Sequence, residues 1–68
     1  MKNKVREFRE ERGLTQKTLG ELVGVSRQAI NAIETDKFDP SIRLAYDLAR
    51  FFHTTIESLF LFEKEERK

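Results

Sequence analysis

The sequence predicts an all-α fold of five short helices, and three observations carry that prediction. Apolar residues recur at helical spacing, as in Leu19/Leu22/Val23, Ala29/Ile30/Ile33 and Ile42/Ala45/Leu48/Ala49/Phe52. A Ser or Thr stands just ahead of these runs, at Thr15, Ser26, Ser41 and Thr55, where a helix N-cap belongs. Gly13, Gly24 and Pro40 punctuate the chain at the places where one helical pattern gives way to the next.

Residues 3–12 place Val5 and Phe8 on one face amid charge, an amphipathic first helix stopped by Gly13. The stretch LTQKTLGELVG then opens on Thr15, with Leu14 and Leu19 at the spacing of a hydrophobic staple. Leu19, Leu22 and Val23 form its apolar face, and Gly24 ends it. The third helix repeats the device: Ser26 is the cap, Val25 and Ile30 are the staple, and Ala29, Ile30 and Ile33 face inward. A helix that stops at Gly24 and another that starts at Ser26 leave room only for a tight turn, so the pair must cross steeply. After a polar loop, Pro40–Ser41 opens a fourth helix whose buried face is Ile42, Ala45, Leu48, Ala49 and Phe52, with Leu44 beside them. His53 occupies the place of a C′ glycine, and His is among the few other residues that tolerate the left-handed conformation. Thr55 caps a fifth helix over 56–60, and the apolar run from Leu59 to Phe62 leaves room for a short strand at 61–64.

Composition narrows the function classes. Sixty-eight residues make one small domain, 1–68, and with no Cys neither disulfides nor a thiolate site is available to it. Apolar residues at 38% suffice for a compact core but not for a large ligand cavity. No signal peptide and no membrane-spanning run is present, so a cytoplasmic protein is expected, nucleoid-associated if it binds DNA. His53 has no ligating neighbour at metal spacing and no nucleophile–base pair is evident, so neither a metal, a cofactor nor catalysis is expected. The net charge is +1, with +2 over residues 1–38 and −1 over 39–68. A charge that small leaves any nucleic-acid contact to local arrangement or to doubling in a dimer.

The third helix carries the functional signal. Opposite its apolar side stand Gln28, Asn31 and Thr35, flanked by Arg27 and Ala32. Arg pairs bidentately with guanine, and Gln or Asn with adenine. A merely solvated helix of this size would more often carry Glu and Lys in i, i+4 pairs.

From Gln16 to Glu34 the chain resembles the helix-turn-helix of the Cro/CI (XRE) repressor family. Gly20 and Gly24 match its small fifth and glycine ninth positions, and Leu19, Val23, Val25, Ile30 and Ile33 its apolar ones. The fifth position lies beneath helix three, and the ninth needs positive φ for the turn. RGLTQ, DPSIRLAYDLARFF and TTIESLF are similar to the family's remaining helices, so the resemblance spans about residues 4–62. In length and C-terminal pattern the chain resembles small stand-alone dimeric regulators such as the cytolysin repressor. Two departures stand out: Gly20, where the family usually has Ala, and Thr18, where a Glu often completes the capping box.

The resemblance implies a lambda-repressor-like fold with its helix-turn-helix at helices two and three, about residues 16–35. It implies base readout by Arg27, Gln28, Asn31 and Ala32 in the major groove of double-stranded DNA. Backbone contacts would come from Gln16, Lys17, Ser26, Thr35, Lys37 and Arg43, and Arg9 would form an internal salt bridge with Glu34. Phe51, Phe60, Leu61 and Phe62 exceed what so small a bundle buries beside Phe8 and Phe52, which points to a dimerisation segment at about 51–64. The expected function is a dimeric regulator of transcription, a repressor on a pseudo-palindromic operator. Its control would come from its own concentration, a small regulatory protein partner or temperature-dependent stability. Two other readings fit the same fold: an antitoxin-type regulator, and a protein–protein adaptor that reads no bases.

Overall fold

The structure, a computed structural model, describes residues 1–61. Five helices follow in order: α1 Val5–Glu11, α2 Gln16–Val23, α3 Arg27–Glu34, α4 Ile42–Phe51 and α5 Ile56–Leu59. Four of them start where a hydroxyl satisfies an orphan donor. Thr15 accepts from the Thr18 N–H, Ser26 from Ala29, Ser41 from Leu44 and Thr55 from Ser58. At the head of α1 it is the Asn3 carboxamide oxygen that accepts, from the Val5 N–H at 3.0 Å.

Left-handed residues follow four of the helices, Gly13, Gly24, Asp36 and His53 after α1 to α4. Gly24 (φ 82°) closes α2, and the Val25 N–H donates to the Gly20 carbonyl at 2.8 Å. His53 does take the C′ position after α4, at φ 58°. Its N–H reaches the Arg50 carbonyl and the Thr54 N–H that of Ala49, the paired bonds of a Schellman motif. Asp36 (φ 66°) plays the same part after α3, with Asp36 N–H to Ile33 and Lys37 N–H to Ala32. No pattern in the sequence marked it out.

The core gathers one or two side chains from each short helix around α4. Val5, Leu19, Ile30, Ile33, Leu48 and Leu59 are all fully buried, with Phe52 and Phe60 beside them. Two expected core residues lie outside it. Leu22 is 56% exposed because the buried face of α2 is centred on Leu19, Gly20 and Val23. Gly20 lets α3 approach on that side, and at about 100° per residue Leu22 then lies on the far flank. Ile42 is 79% exposed, sitting in the first turn of α4 ahead of the buried row that begins at Leu44.

Asn3 and Phe60 form an antiparallel bridge, and Leu61, the first residue of the strand expected at 61–64, is not in a strand. Lys4 N–H donates to Leu59 and Leu61 N–H to Lys2, each at 2.8 Å; residues 62–64 of that expectation lie outside the described residues. The bridge turns Phe60 inward, to 1% exposure. It therefore belongs to the core of its own chain and offers almost no surface to a second copy. Phe51 is half-buried with the Arg12 guanidinium 5.7 Å from its ring centroid, Leu61 is exposed, and Phe62 lies outside the described residues.

Candidate nucleic-acid interface

Burying Ile30 and Ile33 fixes which way α3 faces. It leaves Arg27, Gln28 and Asn31 exposed in a row on the opposite side, with Ala32 at the flank. None of the three polar side chains makes a hydrogen bond or ion pair among the described residues. The start of α2 lies alongside: Gln16, Arg27, Gln28 and Asn31 line one shallow concavity. Lys17, Glu21, Val25, Ser26, Arg27 and Gln28 line the next. Two donor-rich helix beginnings are thus brought to one surface.

The residues expected to hold a phosphate backbone divide into engaged and free. Gln16 donates its amide to Glu34 Oε1 at 3.0 Å. Ser26 is occupied as a cap, and Thr35 Oγ1 donates back to the Asn31 carbonyl at 2.8 Å. Lys17 pairs with Glu21 at 3.1 Å and Arg43 with Asp47 at 3.3 Å. Both are exposed i, i+4 pairs worth at most about 1 kcal/mol, so a phosphate would displace either carboxylate easily. Lys37 makes no ion pair among the described residues. The first N–H groups of α2, at Gln16 and Lys17, have no helical partner and favour an anion.

Behind this surface lies a buried polar network. Arg9 Nε donates to Glu34 Oε2 at 2.7 Å and Nη2 to Oε1 at 3.2 Å, while Nη1 donates to the Leu14 carbonyl at 2.7 Å. The side chains are 11% and 2% exposed. Hydrogen bonding to Glu34 raises the Arg9 guanidinium above its already high ordinary value. Glu34 thereby ties together α1, the start of α2 and the end of α3, and no buried side-chain polar atom among the described residues lacks a partner.

Two further anchors were not foreseen. Asn3 donates to the Ile33 carbonyl at 2.9 Å. The Met1 ammonium group sits between Asp36 and Asp39 on the loop that carries Lys37. Their hydrogen bonds, that of Asp36 first, push its pKa up to about 10.

An α-helical pair joined at a left-handed glycine is the geometry of a helix-turn-helix, and its second helix presents the exposed Arg–Gln–Asn row. Residues 5–59 match the helix-turn-helix family. The chain belongs to that family, in its Cro/CI (XRE) branch. An HTH-type transcriptional regulator of Archaeoglobus fulgidus is 48% identical over 97% of this chain and 94% of its own length. One from Methanocaldococcus jannaschii is 48% identical over 97% of this chain and all of its own length. YgzD of Bacillus subtilis, named likewise, is 45% identical over 96% and 98%. The family is one of DNA-binding transcriptional regulators, not enzymes. No helix among the described residues is long and apolar enough to cross a membrane.

Proposed function

We propose that this XRE-family chain is a cytoplasmic repressor that binds a pseudo-palindromic operator as a homodimer and occludes a promoter. The observation that carries the reading is the exposed, unpartnered row of Arg27, Gln28 and Asn31 on a helix whose other side is locked into the core. Arg27 and Gln28 read base edges, Asn31 reads a base or holds a phosphate, and Ala32 meets a thymine methyl. Lys17 and Lys37, with the free N–H groups of α2, hold the backbone, while Arg43 adds to them once Asp47 releases it. Gln16 acts from behind, bridging to Glu34. A two-fold dimer sets the two third helices about 34 Å apart, in successive major grooves.

The test is selection of fragmented source-genome DNA on the purified protein at about 150 mM salt. The expected product is an inverted repeat with half-site centres about 10 bp apart. Gln28→Ala should then lose about 1–3 kcal/mol of discrimination at one base pair while keeping its fold. Absence of any enrichment over competitor DNA would sink the reading and favour an adaptor that reads no bases.

A further inference from the structure

Away from α3, the side of the molecule formed by α4 and α5 carries two adjoining troughs. One is lined by Tyr46, Ala49, Arg50 and the segment Thr54–Glu57. Ala49 is buried and Ile56 half-buried, so they form its floor; Tyr46, Arg50 and Glu57 are exposed and form its rim. The other is lined by Leu22, Val23, Asp47, Arg50 and Phe51. Arg50 belongs to both and stands as a ridge between them. Its Nη1 donates to the Tyr46 hydroxyl at 3.2 Å, and its guanidinium lies 5.8 Å from the Tyr46 ring centroid.

We propose that this face docks a second copy of the chain, the Arg50 ridge of each copy entering the other's trough opposite Glu57. The inference rests on the dimeric reading above and names its surface. A two-fold interface apposes one patch to itself, so the patch must be self-complementary. This one offers an apolar floor between a cation and an anion, and among the described residues neither Arg50 nor Glu57 has a salt-bridge partner. Of the C-terminal apolar run, Phe60 is buried in its own chain and adds almost nothing to such a face. Leu22 at 56% exposure and Tyr46 at 48% are the large apolar side chains left open here, flanked by half-buried Phe51 and Ile56. An interface of ordinary size covers about 800 Å² per copy, enough to take in both troughs. Neither trough includes a residue of α3 or of the first turn of α2, so the DNA face stays free in the docked pair.

Sedimentation equilibrium of the full chain at micromolar concentration tests this without DNA. The wild type should have the mass of a dimer. Arg50→Glu and Glu57→Arg each set like charges against each other at both symmetric contacts, so each variant alone should be monomeric, its dissociation constant raised at least about tenfold. Mixed in equal amounts, they should regain dimeric mass, since both contacts of the mixed pair then appose opposite charges. Tyr46→Gln, which changes no charge, should also weaken the dimer. Melting curves of the singly exchanged chains establish that they are folded, and recovery in the mixture does so independently. Dimeric mass retained by both charge variants overturns the surface but not the dimer, and a mixture that stays monomeric overturns the Arg50–Glu57 pairing. A monomeric wild type overturns the docking altogether, while enrichment of specific DNA in the selection experiment would leave the base-reading surface standing.

Discussion

Both sides of the eight-residue helix α3 carry polar side chains, yet those side chains are treated in opposite ways. On the inner side Glu34 is 2% exposed and receives hydrogen bonds from Arg9 and Gln16, and Ile30 and Ile33 are fully buried. On the outer side Arg27, Gln28 and Asn31 are exposed and bonded to nothing among the described residues. A polar group that must be buried has to be satisfied, because an unpaired one costs several kcal/mol. A polar group meant for a partner gains from being left open, since no internal bond must break before it binds. The contrast separates residues that hold α3 in place from those proposed to read DNA, and it predicts distinct consequences of mutation on each side.

The largest effect should come from the inner side. Glu34→Ala leaves the Arg9 guanidinium, 11% exposed, without its carboxylate. Removing one partner of a buried pair costs about 3–5 kcal/mol, which in a domain of this size lowers Tm by more than about 10 °C. Arg9→Ala should do the same, and an unchanged Tm for either would mean that the network contributes nothing to stability.

Next comes the contact between α2 and α3. A Cβ at Gly20 would lie 2.6 Å from the Val25 carbonyl oxygen and 3.2 Å from the carbonyl carbon and oxygen of Ser26. These are backbone atoms of the turn, so they cannot swing aside as a flexible side chain would. Gly20→Ala recovers about 0.5–1 kcal/mol of helix preference, while overpacking costs about 1–3. The net expectation is a loss on the order of 1 kcal/mol, read in a urea melt, with the opposite sign showing that the turn yields. The family's habit of Ala at this position thus does not make Ala neutral in this chain.

What the sequence disclosed, and what it concealed, follows the range of each interaction. The four hydroxyl caps and the left-handed His53 were legible because each depends on a residue and its neighbours three or four along the chain. Asp36 escaped notice because Asp is only one of several residues that tolerate positive φ, and nothing nearby demanded it. Leu22 and Ile42 were assigned to the core because periodicity marks an apolar stripe without saying where the neighbouring helix lies. The burial of Phe60 depends on Asn3 at the far end of the chain, and the attachment of Gln16 depends on Glu34, 18 residues away. Of the candidate interface, the row on α3 was legible because it is the complement of an apolar stripe; which backbone-holding residues already had internal partners was not.

Ser26 lies on the boundary of the comparison and sharpens it. Its hydroxyl oxygen accepts from the Ala29 N–H at 3.1 Å, so Ser26→Ala should cost about 1 kcal/mol as a lost cap. Ser26→Asp, also a good cap, should restore most of that stability while setting a carboxylate where the DNA backbone is proposed to lie. Stability recovered with DNA affinity reduced would place Ser26 in both roles. Stability and affinity recovered together would make it a cap alone.

The smallest effect on stability is the most informative one for function. Gln28→Ala and Asn31→Ala remove side chains that touch nothing internal, on exposed positions of a helix where Ala is the better former. Each should leave the unfolding free energy within about 0.5 kcal/mol of the wild type, in a denaturant melt run beside the Glu34→Ala chain. The same two chains should nonetheless lose discrimination at particular base pairs, where Glu34→Ala loses binding to all sequences as the fold weakens. Should Gln28→Ala destabilise the protein by more than 1 kcal/mol, the outer row would have a structural role, and its exposure would no longer argue for DNA.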